Sequence, residues 1–588
     1  MKKFDNKINK THLSVPKSNA NLFPTGAPCA RQKLFVRAPC CRDCCPISRH
    51  FPSAPVLGRT MFVDNRPLRG WRLWLFTAAL ALGTVVVLSN VPGYTITVPY
   101  VAGSLGGVTP SFGAWGTTDH MVGLALGLPF ARWFSGRFGD YRVYVVAFLL
   151  YACAASVCAA SETLWMFLPA RIALGFAGGV TLPLAQSLAL REFPERRRTW
   201  AVGLWGVLSM TPLTIGVFLG GWYAEFLSWR WLFYTDVVVG VLVAALVGAL
   251  LYGRGFNVRI VRFDFVGVAL LTVIVYGAQT VFNMGNDFDW FASPILLTAL
   301  VVVEIAVPAF VIWELGERNP VLDLRLFGHR NYAIATFCSV FGFLIIQGLL
   351  SVFVFQLQLL MGYTSSLAGM VYLLMFVVAG PAVAILHELN KTVDGRLISF
   401  FDFVGLAGTL TWLGLFDRLA WFDQLFWPML FFGFFIALFF APLASLAMHG
   451  LSGAKLIRAA EELALLRTVA GSYGISLLAV VQFRRLPFHQ LDLADHLGGR
   501  RFASLDLFAQ TTAKLEAAGL NSSTVMRRLA NLIREQSALL ALNDVFLVGA
   551  VVFVLLAVLL WFAHPTMIAF WRRGDAAHLR AEELMESP

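Results

Sequence analysis

Fourteen runs of about twenty apolar residues constrain this 588-residue chain more tightly than any motif within it. Each is long enough to cross roughly 30 Å of hydrocarbon as a helix, and a helix satisfies its own backbone where no water is present to do so. The runs fall near residues 73–98, 114–134, 143–160, 164–188, 200–224, 231–252, 265–284, 292–314, 332–354, 366–386, 397–416, 426–448, 465–482 and 543–563. The expected fold class is an all-α polytopic membrane protein. Charged residues make up only 14% of the chain, far below the quarter usual in soluble proteins, and the mean hydropathy is +0.70.

An even number of crossings leaves both ends on one side, and the short loops say which. Loops after even-numbered runs carry Arg137 and Arg142; Arg191, Arg196, Arg197 and Arg198; Arg254, Arg259 and Arg262; Arg318, Arg325 and Arg330; Lys391 and Arg396; Lys455 and Arg458. Loops after odd-numbered runs are nearly bare. By the positive-inside rule both termini are expected in the cytoplasm.

The net charge of +12 is not a nucleic-acid signal, because residues 1–60 alone hold eleven Lys/Arg against Asp5 and Asp43. That polar segment also holds Cys29, Cys40, Cys41, Cys44 and Cys45. A second cysteine pair or a histidine cluster is needed to complete four metal ligands, and neither is present, so no metal site is expected. Residues 1–70 read as a disordered cytoplasmic extension, with Met61 as the natural start. Between the last two runs lies one long loop, about 483–542, where apolar residues spaced by three and four predict two amphipathic helices broken near Gly519. It reads either as a docking element for a partner or as a lid on the protein's own surface.

Three stretches carry recognisable patterns. ARWFSGRFGDYRVYV holds Gly136, Arg137, Gly139, Asp140 and Arg142, charges and glycines suited to a latch in a tight turn between helices. LPARIALGFAGG places Arg171 about seven residues into an apolar run, at a cost of roughly 2.5 to 3.5 kcal/mol, so it is expected to find a partner or water, or to snorkel. PLTIGVFLGGWYAEFLSWRWLF contributes Gly216, Gly220 and Gly221, spaced for close helix approach.

Together with FDFVGVALL at 263, LRLFGHRNYA at 324, LRTVAGSYG at 466 and the long loop, these stretches resemble the major facilitator superfamily, in particular the EmrB/QacA drug:proton antiporters and their EmrB branch. The resemblance covers about residues 72–565. It implies a six-helix bundle over 71–252, two linking helices over 253–330, a second six-helix bundle over 331–563 with a periplasmic loop 483–542, and a cytoplasmic tail over 564–588. It further implies proton-coupled efflux of hydrophobic or aromatic compounds from a bacterial inner membrane, a periplasmic membrane-fusion adaptor and an outer-membrane channel as partners, and no cofactor. The first stretch corresponds in disturbed order to the family's conformational latch, and the third to its antiporter motif.

One position departs from the pattern. Within LSNVPGYTITVPYVAG, Asn90 stands where such transporters usually carry a buried Asp, and an amide cannot take up a proton in the useful range. Asp119 and His120 in AWGTTDHMVG stand at a depth similar to Arg171, so Asp119, with His120, is expected to be the proton acceptor and Arg171 its electrostatic partner. A static Asp119–Arg171 pair, or an aspartate simply in water, fits the same residues. Asp236, where relatives often show Asn, and Glu225 are further candidates. Pro92-Gly93 reads as a kink in the cavity wall, and Asn90, Tyr94, Thr95, Thr97 and Trp115 as its polar and aromatic lining. A gradient-driven facilitator and a non-transporting scaffold stay open as alternatives. Enzymatic function is not expected, since G-x-S-x-G, H-E-x-x-H and P-loop motifs do not occur.

Overall fold

The computed structural model describes residues 68–107, 109–193, 198–253, 262–416, 422–497 and 521–565, with 509–510, 512–514 and 517–518. The cysteine-rich segment, Met61 and Gly519 lie outside these. Among the described residues are fourteen helices of 19 to 44 residues: α1 Trp71–Ser104, α2 Pro110–Phe138, α3 Asp140–Ala160, α4 Leu164–Glu192, α5 Arg198–Phe226, α6 Trp231–Leu250, α7 Phe265–Met284, α8 Pro294–Gly316, α9 Arg330–Leu359, α10 Ser365–Thr392, α11 Gly395–Leu413, α12 Phe422–Met448, α13 Ala454–Leu497 and α14 Ser522–Leu560. Twelve are long and apolar enough to cross a membrane. At 29 residues α2 has the length but, with Thr117, Thr118, Asp119 and His120 in its middle, not the uniform apolarity.

Helix pairing repeats with an offset of eight. The close pairs α1–α5, α2–α4 and α3–α6 recur as α9–α13, α10–α12 and α11–α14, and the two contacts that join these groups, α5 with α10 and α2 with α13, are equivalent under the same offset. Membrane helices gain little from burying apolar surface against each other in lipid, so close contact rests on small residues. Gly175 and Gly179 of α4 lie directly on the His120 and Leu124 carbonyls of α2, and Gly216 and Gly220 of α5 lie on Ser89 and Gly93 of α1. Gly474 of α13 sits against Leu344 of α9, and Gly433 of α12 against Met375 of α10, in the same way. A Cβ at any of these positions would collide with backbone.

α7 does more than link the two groups. Its Gln279 donates to Ser476 of α13 at 2.6 Å and accepts from Ser472 at 2.9 Å, while its Asn283 donates to Thr118 of α2 at 2.9 Å. These bonds tie α7 to one helix of each group.

At the two ends of the long loop the transmembrane helices run on beyond their apolar runs: α13 continues to Leu497, and α14 starts as early as Ser522. At 44 residues α13 is about 66 Å long, twice what a bilayer core needs. Near the base of the projecting parts, Asp544 of α14 accepts from Arg485 and pairs with His489 of α13, both at 2.6 Å. The described ends of the loop are thus the helical continuations of α13 and α14 beyond their apolar runs.

Candidate functional site

Asn90 is the centre of a fully buried polar cluster. Its Nδ2 donates to Asp236 Oδ2 of α6 at 2.5 Å, and its Oδ1 accepts from the Arg171 guanidinium of α4. Arg171 also donates through Nε to the Gly116 carbonyl of α2 at 2.8 Å, and its charge lies over the Tyr94 ring at 4.2 Å, with Phe233 at 5.5 Å. Cation and carboxyl are thus joined through one amide, which uses both its donor and its acceptor side. The close α2–α4 crossing at Gly175, one turn beyond Arg171, brings the Gly116 carbonyl within reach of that arginine.

Asp119 is buried at 6% exposure, close enough for the Arg171 charge to act on it, yet no hydrogen bond joins the two among the described residues. Neither ring nitrogen of the fully buried His120 has a hydrogen bond within ordinary geometry among the described residues, although the Arg171 backbone and charge lie beside the ring. Arg171 thus stands beside Asp119 and His120, as expected of an electrostatic partner, while its hydrogen bond goes to Asn90 and through it to Asp236. Glu225 lies apart, accepting from the Ser366 amide at 2.8 Å where α5 meets the start of α10.

A cavity of about 920 Å³ opens between the two helix groups. On α1 it is lined by Thr84, Leu88, Val91 and Pro92, whose spacing defines one helix face, while Asn90 points from the opposite face into the cluster. Helix α1 is a partition, with the cavity on one side and the polar cluster on the other. Of the residues expected to line the cavity, Asn90, Tyr94, Thr95, Thr97 and Trp115 do not. Tyr94 instead donates to the Gly113 carbonyl at 2.8 Å, Thr97 to the Tyr94 carbonyl at 2.8 Å, and Thr95 to Val91 at 2.9 Å. These side chains saturate backbone acceptors inside the bundle. Pro92 does border the cavity, as expected of a wall residue, while Gly93 faces α5.

The cavity walls continue along the C-terminal halves of α2, α4, α10 and α12, the first turns of α13, and residues 262–264 and 319–321. At the other end of the bundle the two groups are sealed. Gly221 rests on the Ser365 carbonyl, Ser365 donates to the Tyr100 hydroxyl at 2.9 Å, and Gln358 donates to the Ile96 carbonyl at 3.0 Å. The antiporter-motif glycines therefore serve two contacts: Gly216 and Gly220 toward α1, Gly221 toward α10.

In the latch stretch, Gly139 adopts φ +89°, a conformation open to glycine, and sets Asp140 at the start of α3. Asp140 accepts from Ser135 of α2 and pairs with Arg191 at the end of α4. Arg137 is exposed, Arg142 donates to the Tyr141 hydroxyl at 3.3 Å, and Gly136 lies in the last turn of α2. Sequence reading named Asp140 but missed Arg191, its cationic partner 51 residues away.

Comparison with known proteins agrees with this geometry. The sequence pattern described as Major Facilitator Superfamily matches residues 73–460. The chain is 30% identical over 508 residues to the probable multidrug resistance protein EmrY of Escherichia coli K12, covering 86% of this chain and 98% of that one. It is 29% identical over 514 residues to the multidrug export protein EmrB of the same organism, covering 87% and 99%. Among solved structures, the POT family transporter PepTSo superposes with a TM-score of 0.51 at 14% identity over 84% of this chain and 99% of that chain, a likeness of fold.

Proposed function

The chain belongs to the major facilitator superfamily and is a multi-pass membrane transporter rather than an enzyme; we propose that it exports hydrophobic and aromatic compounds against proton entry, with Asp236 as the coupling carboxyl. In this reading the membrane is the bacterial inner membrane, both termini are cytoplasmic, and the cavity opens to the cytoplasm while α5 and α10 seal the outer side. The two six-helix groups rock about the cavity, and the Asp140–Arg191 latch holds the present arrangement.

The observation that carries the coupling assignment is the buried chain from Asp236 through Asn90 to Arg171. Relative to its family's usual order, the acid and the amide have changed places between α1 and α6 while remaining in contact. Because the amide stands between acid and guanidinium, Asp236 can gain a proton without rupture of a direct salt bridge. Loss of its charge changes the hydrogen bond from Asn90, and Asn90 belongs to the helix whose other face lines the cavity. Proton and substrate thereby act on the same helix, which is what coupling requires. Asp119 is a second carboxyl within the field of Arg171 and serves as the station from which the proton reaches or leaves the cluster.

Substrate-triggered proton release from proteoliposomes tests this. Wild type releases protons, Asp236→Asn does not, and Asp119→Asn slows release. Full release by Asp236→Asn together with none by Asp119→Asn would return the coupling site to α2. Transport without proton movement in every variant would leave a facilitator.

The projecting parts of α13 and α14 are the place where a periplasmic membrane-fusion adaptor, leading to an outer-membrane channel, would dock. They expose Phe488, Leu491, Met526 and Leu532. Serine at all four should spare insertion and transport in vesicles but remove resistance in cells, and undiminished resistance would discard the docking role.

A further inference from the structure

The cavity holds one cation that the coupling scheme leaves idle. Arg467 lies about a third of the way along α13, inside the membrane-spanning part and in the cavity wall. Its guanidinium stands over the ring of Phe440 at 4.8 Å and that of Phe343 at 5.7 Å, and the two rings meet edge to face at 5.8 Å. Among the described residues, neither an acid nor a hydrogen-bond acceptor reaches it.

The other charges of the cavity are accounted for. Arg132 pairs with Glu461 at 3.4 Å, and Arg458 donates to Asn319 at 2.9 Å with Asp323 at 3.9 Å. Glu462 is held by the Asp323 amide at 2.6 Å and the Tyr332 hydroxyl at 3.0 Å. Asp264 accepts from the Gly267 amide at 2.8 Å and the Trp313 indole at 2.9 Å. Arg262 is exposed at the mouth. Among the described residues of the cavity wall, Arg467 alone is deep, charged and without a counter-group.

A guanidinium resting on ring faces keeps its in-plane N–H donors available, and those donors match the two oxygens of a carboxylate. Beside it the wall is apolar, with Val91, Pro92, Met121, Leu124 and Ala441. An anion with a flat apolar body meets both needs at once: its charge takes the unused fork, and its body covers the wall. A lipophilic cation would meet an unmatched positive charge there.

We infer that Arg467, on its Phe343–Phe440 platform, is the subsite that reads the charge of the substrate, and that amphipathic aromatic carboxylates are the preferred cargo. This assignment rests on the export reading above and deepens it by naming the substrate class.

The test uses the full chain in nanodiscs and three probes that share a naphthalene body: 1-naphthoate, 1-naphthalenemethanol and 1-naphthylmethylammonium. Equilibrium binding to wild type should rank them in that order. Arg467→Gln should weaken naphthoate by about tenfold or more, the loss of one charge-assisted contact, and leave the alcohol within about twofold. Arg467→Lys should fall between, since it keeps the charge but not the planar fork. Equal binding of naphthoate and the alcohol by wild type would overturn the proposal without any variant. So would unchanged naphthoate binding in Arg467→Gln, or an equal loss for all three probes, which would mean a structural role. If Arg467→Gln does not fold, the wild-type ranking and Arg467→Lys decide.

Vesicle transport separates this from the export reading. Naphthoate bound through Arg467 but never moved outward would sink export and keep the subsite. Proton-coupled export of naphthylmethylammonium with no naphthoate binding would sink the subsite and keep export.

Discussion

Two arginines stand within the membrane-spanning part of this protein, and their surroundings differ in nearly every respect. Arg171 is sealed on all sides and held by Asn90, the Gly116 carbonyl and the Tyr94 ring, with Nη2 alone of its guanidinium nitrogens lacking a hydrogen bond among the described residues. Arg467 faces the cavity and has only ring faces for company. The cost of placing either in a bilayer is similar, roughly 2.5 to 3.5 kcal/mol. In the first case the fold offsets that cost itself, and in the second it is left for something outside the fold. The difference teaches that a buried charge is structural or functional according to who completes it.

The sharpest way to break this comparison is to remove each charge in turn. Arg171→Leu leaves the Asp236 carboxyl buried without its cation, a loss of about 3 to 5 kcal/mol; Arg467→Leu strands nothing and should change stability by under about 1 kcal/mol. Thermal unfolding monitored by fluorescence size exclusion reads both, and equal losses would erase the contrast.

Next in size, Gly175→Val and Gly474→Val should cost about 1 to 3 kcal/mol each, because both sit on backbone of the opposing helix. Similar losses would show that the two groups share their glycine framework while differing in their charges. Gly408, with open space around it, is the neutral control as Gly408→Ala.

Third, the double exchange Asn90→Asp with Asp236→Asn keeps one acid and one amide in contact. It should recover proton release to within about threefold of wild type, since coupled neighbours compensate. Recovery absent from the double variant would mean that the acid must sit on α6. The smallest effect is expected from Asp140→Asn, whose partner Arg191 is 65% exposed: under about 1 kcal/mol of stability, read instead as a change in transport rate of a few fold.

The helices were legible because hydropathy and length leave few alternatives in lipid. Their ends were not. Phe483 and Leu542 bound the apolar runs, but a helix propagates past the end of apolarity as long as its residues can take helical conformation, and α13 carries on through Pro487 to Leu497. Asn90 and Arg171 were visible as expensive polar groups in apolar runs. Their pairing with Asp236 was not, because Asn90 and Asp236 are 146 residues apart and only the packing of α1 on α6 brings them together. Asn90, Tyr94 and Thr97 lie away from the cavity for a simpler reason: about half a turn of α1 separates the face that lines it from the face that seals. Arg467 escaped notice because it stands at the start of its apolar run, where a cation reads as an interfacial anchor.

The length of α13 has a mechanical consequence. One continuous helix carries the cavity arginine about a third of the way along and reaches about 45 Å further to Leu497, past the last apolar residue of its span. A tilt at the cavity end of this helix is magnified at the far end, as with an oar pivoting in its rowlock, and Pro487 is the proline along that arm where the stroke can be absorbed. In the export reading proposed above, occupancy of the cavity would thereby be announced, as movement, at the far end of the helix.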